Sequence, residues 1–194
     1  MENYVVRNLE SEDIIEVSKL HSLAFPSDHF TSHFPQKMLF NYFSSLNNEN
    51  KFNFVIIDEN QSLLLGYLIA GMDLQTELSK FKAKNYLNIL LVLLKNPRFL
   101  LEKILLLIKK FIQPKKSKAK FRVFVFVTNP KFQRKGLGEL LLKRLEQDLK
   151  KDRINYYGLS VRSNNYGAIK FYKKNGFEIE FSSMKSVYLI KYLK

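Results

Sequence analysis

The sequence contains no cysteine, and this absence excludes whole classes of chemistry. A chain of 194 residues without cysteine forms no disulfide, holds no zinc–thiolate site and uses no cysteine nucleophile. Proline and glycine are scarce, at 5 and 7 residues, and no Gly/Ser-rich linker, low-complexity tract or internal repeat divides the chain. Its length is that of one domain with a core of its own. We therefore expect a single domain over residues 1–194.

The sequence also lacks a segment that is long and apolar enough to span a membrane. Residues 86–112 are very apolar, but their longest uncharged part, 85–94, is too short to cross a bilayer, and charged residues at 95–98 follow it. The N-terminus, MENYVVRNLE, carries a charge early and has no apolar h-region. The absence of cysteine fits a reducing compartment. Together these features predict a cytoplasmic protein.

Positive charge, in contrast, is abundant. Lys and Arg number 32 and Asp and Glu 18, which gives a net charge of +14. This balance favours anionic partners such as nucleic acid, acidic membranes or phosphorylated small molecules, although a lysine-rich solvated surface explains many of the residues equally well. The basic runs are scattered over 109–120, 131–135, 143–153 and 170–174 rather than grouped with aromatic residues in one groove. We therefore expect no nucleic-acid partner.

The hydrophobic periodicity predicts an α/β fold. Strands are predicted at 3–8, 52–58, 62–71, 120–128, 154–161, 177–182 and 185–193, and helices at 12–24, 35–46, 80–94, 97–112, 137–151 and 165–174. Short connections between these elements indicate one mixed central sheet of about seven strands, flanked by helices on both faces. A two-helix insertion, at about 74–119, precedes the central strand, and Pro97 suits the first position of its second helix.

The most informative stretch is a strand, a turn and a helix over 121–142. The central strand runs into Gln133-Arg134-Lys135-Gly136-Leu137-Gly138, and a helix follows directly. Such a turn gathers unpaired backbone N–H groups at the positive end of a helix, and its glycines let the backbone approach an oxyanion. It is typical of a phosphate site, with a ligand-free glycine turn as the alternative. It is no P-loop, and Leu141 replaces the third glycine of a dinucleotide fingerprint.

Two motifs in this half of the chain resemble those of the GNAT acetyltransferases. Gln-x-x-Gly-x-Gly at 133–138, after a strand and preceded by Pro130 and Phe132, resembles motif A of that family. Residues 165–177, with Asn-x-x-Ala followed by Tyr-x-x-x-Gly-Phe, resemble its motif B. The element order agrees over nearly the whole chain. The resemblance implies a GNAT fold, acetyl-CoA as co-substrate without a metal, and acetyl transfer to a primary amine by direct attack in a ternary complex.

The resemblance also assigns roles to residues. Cofactor binding falls to the end of the central strand, to the motif A turn and to motif B, that is to Phe126, Val127, Thr128, Gln133, Arg134, Lys135, Gly136, Leu137, Gly138, Asn165 and Tyr172. Tyr172 is expected to be the general acid that protonates the leaving thiolate. Core packing between Phe171 and Phe177 is the alternative for Tyr172. Thr128 stands where the family usually has Val.

The general base and the acceptor site are less well defined by the sequence. Residues 121–128 contain no carboxylate, so a base on the central strand is excluded, and a water chain or a residue on the acceptor side is the expected route. The residues considered on the acceptor side, each with an ordinary surface or capping role as the alternative, are Phe25, Asp28, His29, His33 and Asp73. His21, within a predicted helix, is interpreted as packing.

The loop 21–34 and the helical insertion together resemble a GNAT subgroup found among surface-polysaccharide genes. This resemblance favours an amino-sugar acceptor, nucleotide-linked or lipid-linked. A protein, peptide or polyamine acceptor stays open as an alternative. So does a different class of protein, a non-catalytic module that binds acyl-CoA, nucleic acid or membrane.

The predicted helix 97–112 has a broad apolar face. Its members are Leu100, Leu101, Ile104, Leu105, Ile108, Phe111 and Ile112. We expect this face mainly to pack on the sheet and to wall the acceptor pocket. Peripheral membrane contact and a homodimer interface are two other uses for it.

Overall fold

A seven-stranded sheet with helices on both faces forms the fold. The computed structural model describes residues 4–25, 29–47, 52–72, 74–112, 116–183 and 185–193, with the backbone alone at 106–112. The strands are β1 (Tyr4–Asn8), β2 (Asn53–Asp58), β3 (Leu63–Gly71), β4 (Arg122–Thr128), β5 (Tyr156–Arg162), β6 (Glu178–Ser182) and β7 (Ser186–Tyr192). The helices are α1 (Ile14–Ala24), α2 (Gln36–Asn47), α3 (Leu74–Lys84), α4 (Tyr86–Lys95), α5 (Pro97–Ile112), α6 (Leu137–Lys151) and α7 (Tyr166–Lys174).

The sheet is mixed, and its one parallel ladder is short. The strand order is β1-β2-β3-β4-β5-β7-β6. The first four strands pair antiparallel, as do β5 with β7 and β7 with β6. Within the described part of the chain, the parallel strands β4 and β5 pair only through Arg122–Gly158 and Val123–Leu159. Beyond Val123 these strands separate, so the sheet opens into a cleft at the carboxyl end of β4.

A β-bulge in β4 marks the start of this cleft. Ala70 of β3 pairs with Val123, while the preceding Ile69 pairs with Val125, so Phe124 is an extra residue in β4. The bulge changes which face of the sheet the following side chains occupy. Val123 belongs to the core on one face, whereas Val125 belongs to the core on the other.

Two hydrophobic clusters fill the space between the sheet and its helices. On one face, buried leucines of α6 recur at helical spacing and pack against β2 and β3; they are Leu137, Leu141, Leu142, Leu145 and Leu149. On the other face, α1 and α2 bring Val17, Leu39 and Phe43 against Val55 and Tyr67. The predicted mixed α/β sheet with both faces covered is therefore confirmed, and element bounds agree within about two residues except in the insertion.

The insertion contains three helices where the sequence predicted two. The predicted helix 80–94 is divided at Asn85, which lies between α3 and α4 with φ −115° and ψ 21°. The buried Asn85 side chain donates a hydrogen bond to the carbonyl of Phe81 at 3.0 Å. Such a side-chain bond competes with the helical backbone pattern and favours a break. The predicted start of the next helix at Pro97 is confirmed.

The expected burial of the insertion is wrong for its outer side. Val92, Leu93 and Phe99 are buried, but Leu101 and Leu105 are 62% and 53% exposed. Of residues 74–105, whose side chains are described, none lines the acceptor cavity that is defined in the next section. Phe99 instead meets the rings of Phe30 and His33 at centroid distances of 5.5 and 5.2 Å. The inner side of the insertion thus packs on the connection between α1 and α2, and its apolar stripe is wider than this contact covers.

An exposed surface, here called the α4–α5 face, results from this arrangement. Its members are Tyr86, Leu87, Leu90, Leu91, Leu94, Leu101, Ile104 and Leu105. The side chains of Ile108, Phe111 and Ile112, which the sequence assigns to the same helix face, lie outside the described part. None of the described helices is both long and apolar enough to cross a membrane.

Candidate active site

The separated ends of β4 and β5 lead into a large cavity beside the motif A turn. Its volume is about 810 Å³, and its walls come from the end of β4, the turn 132–136, the start of α6 and one side of α7. Phe126, Val127 and Thr128 pair with β3 along one edge of β4, while the other edge has left β5. That edge has the backbone donors and acceptors with which an extended, amide-containing ligand pairs like an added strand.

The turn before α6 has the backbone geometry of an anion site. Gly136 is the N-cap residue of α6 and adopts a left-handed conformation, with φ 76° and ψ 0°, which costs glycine little. The amide of Leu140 is bonded to the carbonyl of Gly136 at 3.1 Å, and the amides of the first turn before it are those a helix leaves unpaired. A Cβ at Gly136 would meet no atom within 4 Å, so the space before the helix is open.

The second glycine of the motif, Gly138, lines this cavity and also permits close packing of aromatic side chains. A Cβ at Gly138 would lie 2.9 Å from Cζ of Phe171 and 3.4 Å from Cζ of Phe126. Gly138 therefore allows α6 to approach the aromatic side chains of α7 and β4. These two rings are stacked, with centroids 5.9 Å apart.

Tyr172 is buried in the same aromatic group. Its ring centroid lies 5.3 Å from those of Phe171 and Phe177, and its side chain is 6% exposed. Burial raises the pKa of the Tyr172 phenol above its ordinary value, so the group keeps its proton at neutral pH. No other residue that the structure describes makes a hydrogen bond to the Tyr172 hydroxyl.

A second cavity of about 440 Å³, here called the acceptor cavity, adjoins the first one, here called the cofactor cavity. The bulged part of β4, the end of β5 and the segment after α1 line it, and Ser160, Arg162 and Asn164 contribute polar groups. Phe25, Phe126, Asn165, Ala168 and Tyr172 line both cavities. Tyr172 thus places a protonated phenol at the junction of the two cavities.

A chain of hydrogen bonds forms the floor of the acceptor cavity. Nδ1 of His21 lies 2.7 Å from the hydroxyl of Tyr67, and Nε2 lies 2.7 Å from Oγ1 of Thr31. The same Oγ1 lies 2.8 Å from Nδ1 of His29. His21 is 1% exposed, and burial, with a smaller effect of His29, lowers the pKa of its imidazole to about 3. Burial also raises the pKa of the Tyr67 phenol, so His21 and Tyr67 are both neutral.

The comparison with known families agrees with this geometry. The sequence profile described as "Acetyltransferase (GNAT) family" matches residues 14–177, which include both cavities. The chain belongs to the GNAT acetyltransferase family. It is therefore an N-acetyltransferase, and acetyl-CoA is its co-substrate. The open edge of β4, the unpaired amides at α6 and the space before Gly136 fit this co-substrate. Among the residues described, no group of His, Cys, Asp and Glu could hold a metal ion.

Solved structures of this fold are similar over nearly the whole acetyltransferase. SsHAT superposes with a TM-score of 0.71 at 16% identity, over 99% of both chains. The ribosomal-protein-S18-alanine N-acetyltransferase of Escherichia coli has a TM-score of 0.60 at 17% identity, over 99% of this chain and 95% of that one. Arabidopsis thaliana Naa50 in complex with the bisubstrate analogue CoA-Ac-MVNAL has a TM-score of 0.57 at 16% identity, over 97% of both. No curated protein sequence matches.

The structure brings together ten of the eleven residues expected at the cofactor. All of them line the cofactor cavity except Lys135, whose ammonium lies 5.4 Å from the ring centroid of Phe132. Asn165 caps α7, since its Oδ1 accepts a hydrogen bond from the amide of Ala168 at 3.1 Å. Lys174, which the sequence did not single out, lines the cavity too and bonds Glu139 at 3.0 Å.

Of the residues expected on the acceptor side, the structure places some at the acceptor cavity and others elsewhere. Phe25 and His29 line the acceptor cavity, whereas His33 packs against Phe99 and does not. Asp28 and Asp73 lie outside the described residues. His21 is buried and packs against Phe25 and Phe43, in line with its interpretation as packing, and both of its ring nitrogens are also hydrogen bonded.

Proposed function

We propose that this acetyltransferase moves the acetyl group of acetyl-CoA onto a primary amine of an amino sugar held in the acceptor cavity. The observation that carries the proposal is the position of Tyr172, a buried phenol that lines both cavities at once. Attack of an amine on the acetyl group from the acceptor cavity, while the cofactor lies in the adjoining one, needs no covalent enzyme intermediate. Direct transfer in a ternary complex follows.

The chemistry requires two proton transfers. Acetyl-CoA supplies a thioester carbonyl; the amine nitrogen forms the new C–N bond there, and the C–S bond breaks. Tyr172 gives its proton to the leaving sulfur, which a raised pKa allows because the phenol is still protonated at neutral pH. No Asp or Glu occurs among the described residues that line the acceptor cavity. The proton of the amine passes to water or to His29, which lines the same cavity.

The polar lining supports a small, oxygen-rich acceptor. The cavity, at about 440 Å³, lies within the range of about 300–1,000 Å³ that is usual for small-molecule sites. Ser160, Asn164 and Arg162 offer hydrogen bonds to hydroxyl groups. The guanidinium of Arg162 also suits the phosphate of a nucleotide-linked or lipid-linked sugar.

A peptide N-terminus is the second candidate acceptor. Two fold neighbours support it: one is named for alanine of protein S18, and the other holds an analogue that joins CoA to the peptide MVNAL. Both are distant in sequence. The test is acetyl-CoA turnover, followed by thiol release, against free amino sugars, nucleotide-linked amino sugars, short peptides and polyamines. Binding of acetyl-CoA without acetylation of any amine in this panel would contradict an enzyme and support a binding module.

We also propose that the α4–α5 face rests on an anionic membrane surface. Exposed cations lie next to the residues of this face in the sequence, at Lys82, Lys84, Lys95 and Arg98. The acidic residues described on α3 to α5 are already paired, Glu77 with Lys80 at 2.8 Å and Glu102 with Lys185 at 2.5 Å. An apolar helix face edged by positive charge complements an acidic bilayer.

A homodimer through the same face is less favourable. Two copies would bring these cations together, and each chain has a net charge of +14, so repulsion opposes the contact. A lipid-linked acceptor would be reached from such a membrane position. The cytoplasmic location expected from the sequence stays a prediction.

A further inference from the structure

Helix α2 places a phenol at the wall of the acceptor cavity that neither proton transfer uses. Tyr42 follows the buried Leu39 by three positions on the same face of α2, and it lines the acceptor cavity. Its ring packs among three apolar rings, with centroid distances of 6.3 Å to Phe34, 5.1 Å to Phe43 and 5.3 Å to Phe81. These contacts hold the ring in place at one side of the cavity.

The hydroxyl of Tyr42 makes no hydrogen bond within the part of the chain that the structure describes. A buried tyrosine usually has a partner for its O–H group. The Tyr42 oxygen is not among the described side-chain atoms that are both enclosed and unbonded, so a ligand can reach it from the cavity. A polar group that the fold leaves unbonded, and that a ligand can reach, indicates a role in binding.

The Tyr42 hydroxyl lies near the floor of the cavity. Burial raises the pKa of the Tyr67 phenol, and the Tyr42 phenol raises it further, so the two hydroxyl groups lie near each other. Tyr67 in turn lies 2.7 Å from Nδ1 of His21, which lines the cavity. Burial also raises the pKa of Tyr42 to about 12. Tyr42 therefore offers a neutral hydroxyl at neutral pH, which can both donate and accept a hydrogen bond.

We propose that Tyr42 binds a hydroxyl group of the acceptor and thereby selects an amine that carries one, as an amino sugar does. A sugar hydroxyl can accept the hydrogen of the phenol or donate its own hydrogen to the phenol oxygen. Tyr42 takes part in neither proton transfer, so it determines which acceptor binds and not how fast the acetyl group moves.

This assignment narrows the acceptor class and rests on the proposed acetyl transfer. No Asp or Glu occurs among the described residues that line the acceptor cavity. The second ammonium of a polyamine would lie beside Tyr42 without a counter-charge, which is costly. A site built to bond a hydroxyl also discriminates against ligands that lack it, because its own polar group is then left unpaired. An amino sugar is therefore favoured over a polyamine.

Thermal unfolding shows, without any substrate, whether the Tyr42 hydroxyl supports the fold. Tyr42→Phe keeps the ring and removes only the hydroxyl, so the melting temperature should stay the same or rise. Tyr157→Phe is the matched control: Tyr157 is 0% exposed, donates to Glu146 at 2.6 Å and lines neither cavity. Its variant should have a lower melting temperature. An equal fall in both variants would show that the fold uses the Tyr42 hydroxyl and would overturn the proposal.

Steady-state kinetics test the bond between Tyr42 and the acceptor. Tyr42→Phe should raise KM about tenfold for the amino sugar that the wild type acetylates best, the usual effect of one lost hydrogen bond at a site. The change in kcat should be smaller, and KM for acetyl-CoA should stay the same. Tyr157→Phe should leave all three constants unchanged. An amino-sugar KM that Tyr42→Phe does not alter would overturn the proposal.

Deoxy analogues of that amino sugar, each lacking one hydroxyl, identify the group that Tyr42 binds. With the wild type, one analogue should have a KM about tenfold above that of the parent sugar. With Tyr42→Phe, the same analogue should bind as well as the parent, because the phenol that distinguished them is gone. If every analogue keeps its wild-type KM ratio in the variant, Tyr42 binds no hydroxyl and the proposal is wrong.

The same measurements distinguish a failure of this assignment from a failure of the proposed function. A peptide or a polyamine as the only substrate would overturn the assignment of Tyr42 while leaving acetyl transfer intact. Failure to acetylate any amine would overturn the proposed function itself.

Discussion

The rings of Tyr172 and Phe126 lie with their centroids 6.0 Å apart, at the boundary between the cofactor and acceptor cavities. One ring comes from α7 in motif B, and the other comes from β4, which leads into motif A. These two residues, 46 positions apart in the sequence, thus meet at the point where the acetyl group would pass from the cofactor to the acceptor. Gly138 makes this meeting possible, since a side chain there would collide with Phe171.

The first prediction concerns Tyr172. Tyr172→Phe should lower kcat by about 10²-fold or more, because the general acid is lost while the ring stays in place. Affinity for acetyl-CoA, measured by calorimetry, should change little. Tyr166→Phe is the matched control, because Tyr166 starts the same helix but is 77% exposed, and it should leave kcat unchanged. Equal turnover by both variants would mean that water protonates the sulfur.

The second prediction concerns the turn before α6. Gly136→Ala should weaken acetyl-CoA binding and also destabilise the fold, because alanine in a left-handed conformation costs about 1–2 kcal/mol and its methyl group enters the open space before the helix. Gly136→Glu should abolish binding. Gly176→Ala provides the control, since Gly176 has the same kind of backbone (φ 83°) but does not line the cofactor cavity. It should lower the melting temperature and spare binding; parallel losses of binding in both would contradict the site.

The local parts of this site could be predicted from the sequence. The strand, turn and helix at 121–142 are contiguous, and their glycines and apolar spacing directly reflect the backbone that they form. The order of elements was predictable for the same reason. The helix break at Asn85 was not, because a single side-chain bond to Phe81 decides it within a stretch whose periodicity continues.

Contacts between residues that are distant along the chain could not be predicted from the sequence. The partners of His21 lie 10 and 46 positions away along the chain, so nothing in its neighbourhood distinguishes it from a packing residue. One signal was present: Tyr67 is a polar interruption in the buried strand β3, and a buried phenol needs a partner. The exposure of Leu105 could not be predicted either, because apolar spacing along a helix does not show how much of the apolar surface a neighbouring element buries.

The third prediction concerns the pH dependence of stability. The pKa of His21 is about 3 in the folded protein, and an ordinary histidine of the unfolded chain has a pKa near 6.5. Between these values the unfolded chain binds a proton that the folded protein does not. The free energy of unfolding should therefore fall by about 1.4 kcal/mol per pH unit as the pH drops from 6.5 towards 3, in addition to other contributions.

Urea unfolding of variants at a series of pH values isolates the contribution of His21 to the unfolding free energy. His21→Gln removes the titrating group, so the difference in unfolding free energy between wild type and variant should shrink as the pH falls below 6.5. Ser18→Ala is a control on the same helix, where the buried hydroxyl donates to the carbonyl of Ile14 at 2.7 Å. It should destabilise by a constant amount at every pH. A wild-type advantage over His21→Gln that stays constant would show that His21 is protonated in the fold.

The last prediction tests the α4–α5 face. Leu105 is 53% exposed, so Leu105→Lys should leave the melting temperature nearly unchanged; burial of the new charge would have been costly. The same change should weaken binding to vesicles that contain an anionic lipid, because a charged group replaces an apolar one that enters the acyl boundary. Wild-type binding should itself weaken with added salt, since the cations at the edge of the face contribute.

A substitution at a matched surface position distinguishes an effect of the α4–α5 face on vesicle binding from a general effect of an added lysine. Ile15 on α1 is 52% exposed and lies outside the α4–α5 face, so Ile15→Lys makes the same substitution at nearly the same exposure. It should bind vesicles as the wild type does, because the membrane contact does not include α1. If light scattering instead finds a wild-type dimer that Leu105→Lys converts to a monomer, the face joins two copies of the chain and the membrane proposal is wrong. If neither variant alters vesicle binding, the contact arises from net charge alone, and the apolar face has no part in it.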